Sequence, residues 1–237
     1  MIYTLEDIRK LLSKASADER RQLAEIIDTD LEGVRGSRKQ AESLTRQLCW
    51  KYQTPLGYLT RDPSFDEICV DVAKALKLEG LTKRETSCWE MLSRLIRQLL
   101  EQLLKEMTPE QRGELASTVL TASQLKEYYG TGTIDWGKVG AGSVLLAVKQ
   151  FGGFATYKVA LIVANQAARV LIGRGLTLAA NAALVRGISI FLGPVGWILL
   201  AWGVNDILGT NYKRVIPGVL FIYSIYERLR EEGQLPF

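Results

Sequence analysis

The sequence predicts an all-α protein: a charged N-terminal helical bundle, then a Gly/Ala-rich apolar helical hairpin unit closed by an amphipathic C-terminal helix. Three observations carry this. Helix-start patterns of the S/T-x-x-E/Q kind recur through the first half. Apolar residues there return at three- and four-residue steps. Beyond residue 142 the chain turns alanine-rich and apolar without the two-residue alternation of a strand. The expected divisions are 1–129 for the bundle, 130–142 for a Gly-rich linker and 143–237 for the apolar unit.

The helices of the first half announce their starts. Thr4, with Asp7 three residues on, precedes "LEDIRKLLSKA"; Ser16 and Glu19 precede "RRQLAEII". Ser64 and Glu67 introduce "ICVDVAKALKL", and Ser87 and Glu90 introduce "MLSRLIRQLLEQLLKEM". Thr108, followed by Pro109 and then Gln111, opens one helix through "RGELASTVLTASQLKEYY". In the longest helix Trp89, Leu92, Leu95, Ile96, Leu99, Leu103 and Leu104 form an apolar face opposite Arg94, Arg97, Glu101 and Lys105. That face reads either as bundle core or as a seat for a partner helix. "GTGTIDWGKVGAG" then gathers five glycines around Asp135-Trp136. It reads as a linker or turn, because it lacks both phosphate-loop spacings and no strand precedes it.

Apolar helices follow at roughly 142–151, 154–172, 175–191, 195–208 and 215–232. Ala160, Ala164 and Ala168 recur every fourth residue, as do Gly175, Ala179, Ala183 and Gly187. Small residues at that spacing let a neighbouring backbone approach closely, so an antiparallel hairpin turning at Gly173-Arg174-Gly175 is expected. The nineteen uncharged residues 187–205 are long enough to raise the question of a membrane span. Gly193-Pro194 splits them into two short arms joined by a turn. Insertion scales give about −4 kcal/mol for the apolar residues of 154–172, and about −4 to −5 for 187–205 before its proline and glycines are counted. Asn165, Gln166, Lys158 and Arg169 oppose the first sum, as the proline and glycines oppose the second, so both totals come near break-even. The arms are thus either protein core or an interfacial hairpin. In the second case Ile190, Phe191, Trp197, Ile198, Leu199, Leu200 and Trp202 contact the membrane, with the two tryptophans at headgroup level.

Charge is unevenly spread. Residues 1–136 carry 20 basic and 22 acidic side chains, whereas 137–237 carry 10 basic and 4 acidic. Lys138 and Lys149 lie eleven apart, as do Lys158 and Arg169, which returns each pair to one helix face. Lys149, Lys158, Arg169, Arg174 and Arg186 are therefore candidates for contact with anionic headgroups, a solvated basic face being the alternative. Nucleic acid is not expected, for want of interleaved aromatics. Asp206, a lone acid among apolar helices, needs a partner; Arg174, Arg186 or Lys158 would make a buried ion pair that fixes helix arrangement.

The chain contains no histidine. That removes His-based triads and His metal sites. Cys49, Cys69 and Cys88 form no C-x-x-C pair, which argues against a disulfide framework or zinc site and fits a reducing cytoplasm. The start of the chain lacks the apolar core of a signal peptide. Glu67 and Asp71, four apart, read as cap and surface pair with Lys74 nearby. No nucleophile has an evident base, and neither an enzyme nor a cofactor is expected.

Three segments carry a resemblance: "ICVDVAKALKLEG", "WEMLSRLIRQLLEQLLKEMTPEQRGELAS" and "NYKRVIPGVLFIYSIYERLR". In this order they resemble the YaaW-type family of uncharacterised bacterial proteins, which is loosely grouped with the ubiquinol–cytochrome c chaperones. The matching positions are Asp71, Lys74 and Leu76; Leu99, Glu101 and Gln111; and Tyr212, Arg214, Ile216 and Pro217. The resemblance implies membership and no catalytic role. Physically, Pro217 suits the first turn of the closing helix, while Lys213 and Arg214 are placed to cap a helix ending near Leu208.

The expectation is a non-enzymatic, membrane-active helical protein of the cytoplasm, with association at the inner membrane. Its shielded apolar hairpin would be arranged in principle like those of soluble pore-forming toxins, an analogy of architecture alone. A stress or defence effector is one setting for it. The partner would be an anionic membrane surface, with self-association into a homo-oligomer left open. The alternative is a soluble chaperone or adaptor that binds a partner helix on the Trp89–Leu103 face or assists membrane-complex assembly.

Overall fold

The computed structural model describes residues 3–53, 62–76, 87–173 and 210–237. Among them are ten α-helices and no strand. The protein is all-α, as the sequence predicts.

Capping chemistry fixes most of the helix starts. α1 (Leu5–Lys14), α2 (Ala17–Ile27) and α4 (Phe65–Ala75) begin at Thr4, Ser16 and Ser64, each with a reciprocal capping box. At α4 the Ser64 N–H donates to Glu67 Oε2 at 2.8 Å, and the Glu67 N–H donates to Ser64 Oγ at 3.2 Å. Each such cap is worth about 1 kcal/mol. α5 (Cys88–Glu106) has half a box: Ser87 Oγ accepts from the Glu90 N–H at 3.3 Å, but the Glu90 carboxylate turns to Arg94 at 2.5 Å. A partner one turn along competes with the cap and wins.

Three expectations need correction. The helix foreseen after Thr108 is two, α6 (Pro109–Val119) and α7 (Ala122–Tyr129). Thr121 and Gln124 form a box of their own, so the chain restarts there instead of continuing. α3 (Ser37–Tyr52) was not foreseen: its N-cap is Gly36, at φ +90°, which has no side chain to announce a start. The closing helix, α10 (Tyr212–Glu231), begins five residues before Pro217, which therefore sits inside it. Proline there forgoes the bond to the Lys213 carbonyl and its ring crowds that carbonyl, although its fixed φ suits the helix. Gly218 beside it is needed for contact, since a Cβ would stand 3.0 Å from Ile27 Cγ2 and 3.5 Å from Leu48 Cδ1.

α10 is the axis of the molecule. Every residue from Val215 to Ile225 is buried, and α10 packs against α1, α2, α3, α4, α5 and α9. Its longest contact is with α9 (Gly153–Ile172). The start of α9 lies against the end of α10, where a Cβ on Gly153 would meet the Glu231 carboxylate, so the pair runs antiparallel. Ala160, Ala164 and Ala168 of α9 are fully buried. The second small-residue ridge and the hairpin turn foreseen in 174–191 lie outside the described residues. α5 contributes Trp89, Leu92, Leu95, Ile96, Leu99 and Leu103 to the same core. The face once open to a partner helix is thus filled by α4, α8, α9 and α10 of the chain itself.

The Gly-rich segment between α7 and α8 (Ala141–Phe151) is anchored in its middle. Asp135 Oδ1 accepts from the Gly137 N–H at 3.1 Å, which makes a local turn. The Trp136 ring lies over Gly113 of α6, where a Cβ would come within 2.8 Å of three indole atoms. Trp136 also meets Tyr129 edge-on, at 5.6 Å between ring centres.

Candidate functional site

Among the described residues, the corner between α8 and α9 carries two of the exposed large apolar side chains. Val144 to Val148 are five consecutive apolar residues, which together cover more than one helical turn. Val144, Ala147 and Val148 face the core; Leu146 cannot, and is 57% exposed. The turn is made by Gly152 and Gly153, at φ +48° and +41°, a region that side-chain-bearing residues rarely adopt. Immediately beyond it Phe154 is 51% exposed, its ring edge-on to Tyr157 at 5.4 Å. Lys149 and Gln150, both exposed, stand between the two apolar side chains in sequence. Leu146 and Phe154 were not singled out from sequence. The signal was present in the unbroken apolar run, since a helix that is apolar all round must leave one side outside a small core.

The basic residues foreseen as lipid-facing divide into separate environments. Lys149 is exposed at this corner. Lys158 is turned inward: its Nζ donates to the Thr118 and Val119 carbonyls at 3.1 and 3.2 Å, capping the end of α6. Burial holds its ammonium below the usual lysine range. Arg169 is half-buried on α9. Lys138 is not on a helix with Lys149; it lies in the Gly-rich segment and pairs with Asp135 at 3.2 Å. The three-turn spacing of those two lysines therefore puts them on no common face. Ile190, Phe191, Trp197, Ile198, Leu199, Leu200 and Trp202 lie outside the described residues, as do Arg174, Arg186 and Asp206. Among the described residues no helix is long and apolar enough to cross a membrane.

Polar seams join α10 to the N-terminal helices. Arg214 NH1 donates to the Glu25 and Ile26 carbonyls at 3.1 and 3.0 Å. It does cap a helix C-terminus, as its position suggested, but that of α2. The Asn211 N–H and Thr210 hydroxyl donate to the Lys51 and Tyr52 carbonyls, each at 2.8 Å, closing the end of α3. At the far end of α10 the Arg228 guanidinium forks onto Glu19, with both bonds at 2.7 Å, and reaches Glu232 at 2.6 Å. Glu19 simultaneously accepts from the Ser16 N–H, so one buried carboxylate serves cap and ion pair together. Glu227, 1% exposed, has Arg230 at 2.6 Å from Oε2, a charge contact that is not aligned as a hydrogen bond. Burial raises its carboxyl above the usual range.

The carboxylates weighed for chemistry have structural partners. Asp71 accepts from the Tyr52 hydroxyl at 2.7 Å and from Lys74 at 2.8 Å, and burial together with that bond keeps Tyr52 protonated far above its usual range. Asp66 receives the Tyr3 and Cys88 backbone N–H groups. Among the described residues no group of three or more Cys, Asp or Glu side chains could hold a metal ion.

Two relatives in Helicobacter pylori (strain J99) share this sequence pattern. One UPF0174 protein is 32% identical over 173 residues, which are 72% of this chain and 63% of the relative. The chain thus spans less than two thirds of that relative. A second UPF0174 protein is 27% identical over 172 residues, 71% of this chain and 78% of the relative. No family model and no solved structure matches the chain. Neither relative's name mentions a YaaW-type protein or a chaperone. The chain is thus similar to two proteins of UPF0174, an uncharacterised bacterial family.

Proposed function

We propose that this is a non-enzymatic, membrane-active helical protein whose apolar C-terminal unit docks on an anionic bilayer. The α8–α9 corner carries the reading: two large, half-exposed apolar side chains, Leu146 and Phe154, flank an exposed lysine in sequence. Apolar burial at about 25 cal/mol per Å² and attraction of about 1 kcal/mol per basic residue act together on such a surface. The excess of basic over acidic side chains in 137–237 supports the same choice of lipid. The uncharged stretch 187–205 would be the part that follows the corner into the interface. A bacterial stress or defence effector, acting from the cytoplasm on the inner membrane, is the setting that fits this behaviour.

The test is flotation and dye release with phosphatidylglycerol and phosphatidylcholine vesicles at low and moderate salt. The wild-type protein is expected to float with the anionic vesicles, less so as salt rises. Leu146→Asp with Phe154→Asp changes only exposed side chains and is expected to abolish flotation without altering the melting temperature. Ile198→Asp or Leu200→Asp should remove leakage while leaving the corner's binding in place. A wild-type protein that ignores anionic vesicles under all these conditions overturns the reading.

A further inference from the structure

The sequence separates Cys69 and Cys88 by nineteen positions, and the fold brings them together. Asp66 and Cys69 lie three apart on α4, hence on one face. Asp66 Oδ1 accepts the Cys88 N–H at 3.2 Å, which holds the first residue of α5 against that face. Cys88 acts on the Cys69 thiol as a direct neighbour, and both residues are buried in one core where α4 packs against α5. The third cysteine, Cys49, is on α3 and bonds Gln53 Oε1 through its Sγ at 3.1 Å. All three cysteines are free thiols and all are buried.

We infer that Cys69 and Cys88 form a redox-responsive dithiol, converted by a peroxide to an intramolecular disulfide that staples α4 to α5. In the first step one sulfur attacks a peroxide oxygen, the O–O bond breaks, and a sulfenic acid and water result. In the second the neighbouring thiol displaces hydroxide from the sulfenic sulfur, the S–S bond forms, and its proton completes a second water. Two electrons leave the two sulfurs and reduce one hydrogen peroxide to two waters. Adjacency decides the product: a sulfenic acid with a thiol in contact condenses faster than it meets more oxidant. Burial sets the rate, since it keeps Cys69 in the thiol form at neutral pH, so reaction follows local opening of the core. Cys49 lies on a different helix, α3, and burial pushes its thiol up to about 11.

The experiment treats the native full-length protein with hydrogen peroxide, then quenches and measures free thiols, intact mass and melting temperature. Free thiols should fall from three to one and mass by about 2 Da, with the Cys69 and Cys88 peptides cross-linked and reversal by dithiothreitol. The melting temperature should rise by roughly 5 °C, as expected for closing a loop of this length. Cys49→Ser should behave as wild type. Cys88→Ser should form no intramolecular bond; if it fails to fold, the cross-link map of the wild-type protein alone decides. A mixture of pairings that includes Cys49, a gain of oxygen mass without cross-link, or no reaction where the urea-unfolded chain reacts readily would each overturn the inference.

Discussion

Removing the Arg228 side chain is expected to be the most damaging single change at the surface of the α2–α10 seam. Arg228 forks onto Glu19 through two bonds of 2.7 Å, and the Glu19 side chain is only 7% exposed. In Arg228→Ala the carboxylate stays where its bond to the Ser16 N–H holds it, buried and without its cation. Breaking a buried pair from one side costs about 3–5 kcal/mol. A chain of 237 residues loses about 2 °C of melting temperature per kcal/mol, so a drop of about 6–10 °C follows. Arg228→Lys keeps the charge but loses the fork, and should fall between. Glu19→Gln combined with Arg228→Met removes both charges while glutamine still supports the capping box. That double variant should recover most of the loss, giving a coupling energy of about 2 kcal/mol or more in a double-mutant cycle. Thermal melts followed by circular dichroism, with urea titrations as a check, supply the four stabilities. The losses should change little with salt, because a buried pair is poorly screened. An Arg228→Ala cost under about 1 kcal/mol, or single costs that simply add, would refute the assignment, since exposed pairs behave that way.

Glu227 offers a test by pH. Its carboxyl is raised in the folded protein, chiefly by burial, so the folded state holds that proton more tightly than the unfolded chain does. Its contribution to stability is present below the ordinary glutamate value of 4.5 and is lost as pH rises through the folded value. Glu227→Gln should therefore raise the melting temperature near neutral pH and lose that advantage in acid; an equal shift at all pH values argues against it. Gly113→Ala places a methyl 2.8 Å from the Trp136 ring, so the indole must leave α6. A cost of about 1–3 kcal/mol and a red shift in tryptophan emission are expected. Lys158→Met removes both donors from the α6 carbonyls and should cost about 1–3 kcal/mol in urea titrations, with no change in vesicle binding if Lys158 acts only as a cap.

Local chemistry was legible in the sequence and distant chemistry was not. The boxes at Thr4, Ser16, Ser64 and Thr108 join residues three apart, and pattern alone finds them. The same pattern was available at Thr121 and Gln124, where it divides one expected helix into two. α3 escaped because a glycine N-cap leaves no mark. Arg214 shows the limit well: its role as a helix cap could be inferred from its charge and place, but not which helix, since its partners lie almost the whole chain away. The fork from Arg228 to Glu19 spans 209 positions, and Glu19 looked fully accounted for as a cap. The exposed Leu146 and Phe154 were hidden for another reason. An apolar run does not say which of its members the core will accept.

The position of α10 has a consequence for biosynthesis. A ribosome completes α1 to α9 before this helix emerges, yet α1, α2, α3, α4, α5 and α9 all turn their apolar faces to it. Until then the nascent chain lacks the helix those faces pack against, and partial products present the kind of exposed apolar surface that chaperones exist to hold. Closure must join segments far apart along the polymer, a topology that slows folding. A premature stop ahead of residue 212 should consequently yield an aggregation-prone fragment in place of a smaller working protein, and proteolytic quality control would be its expected fate.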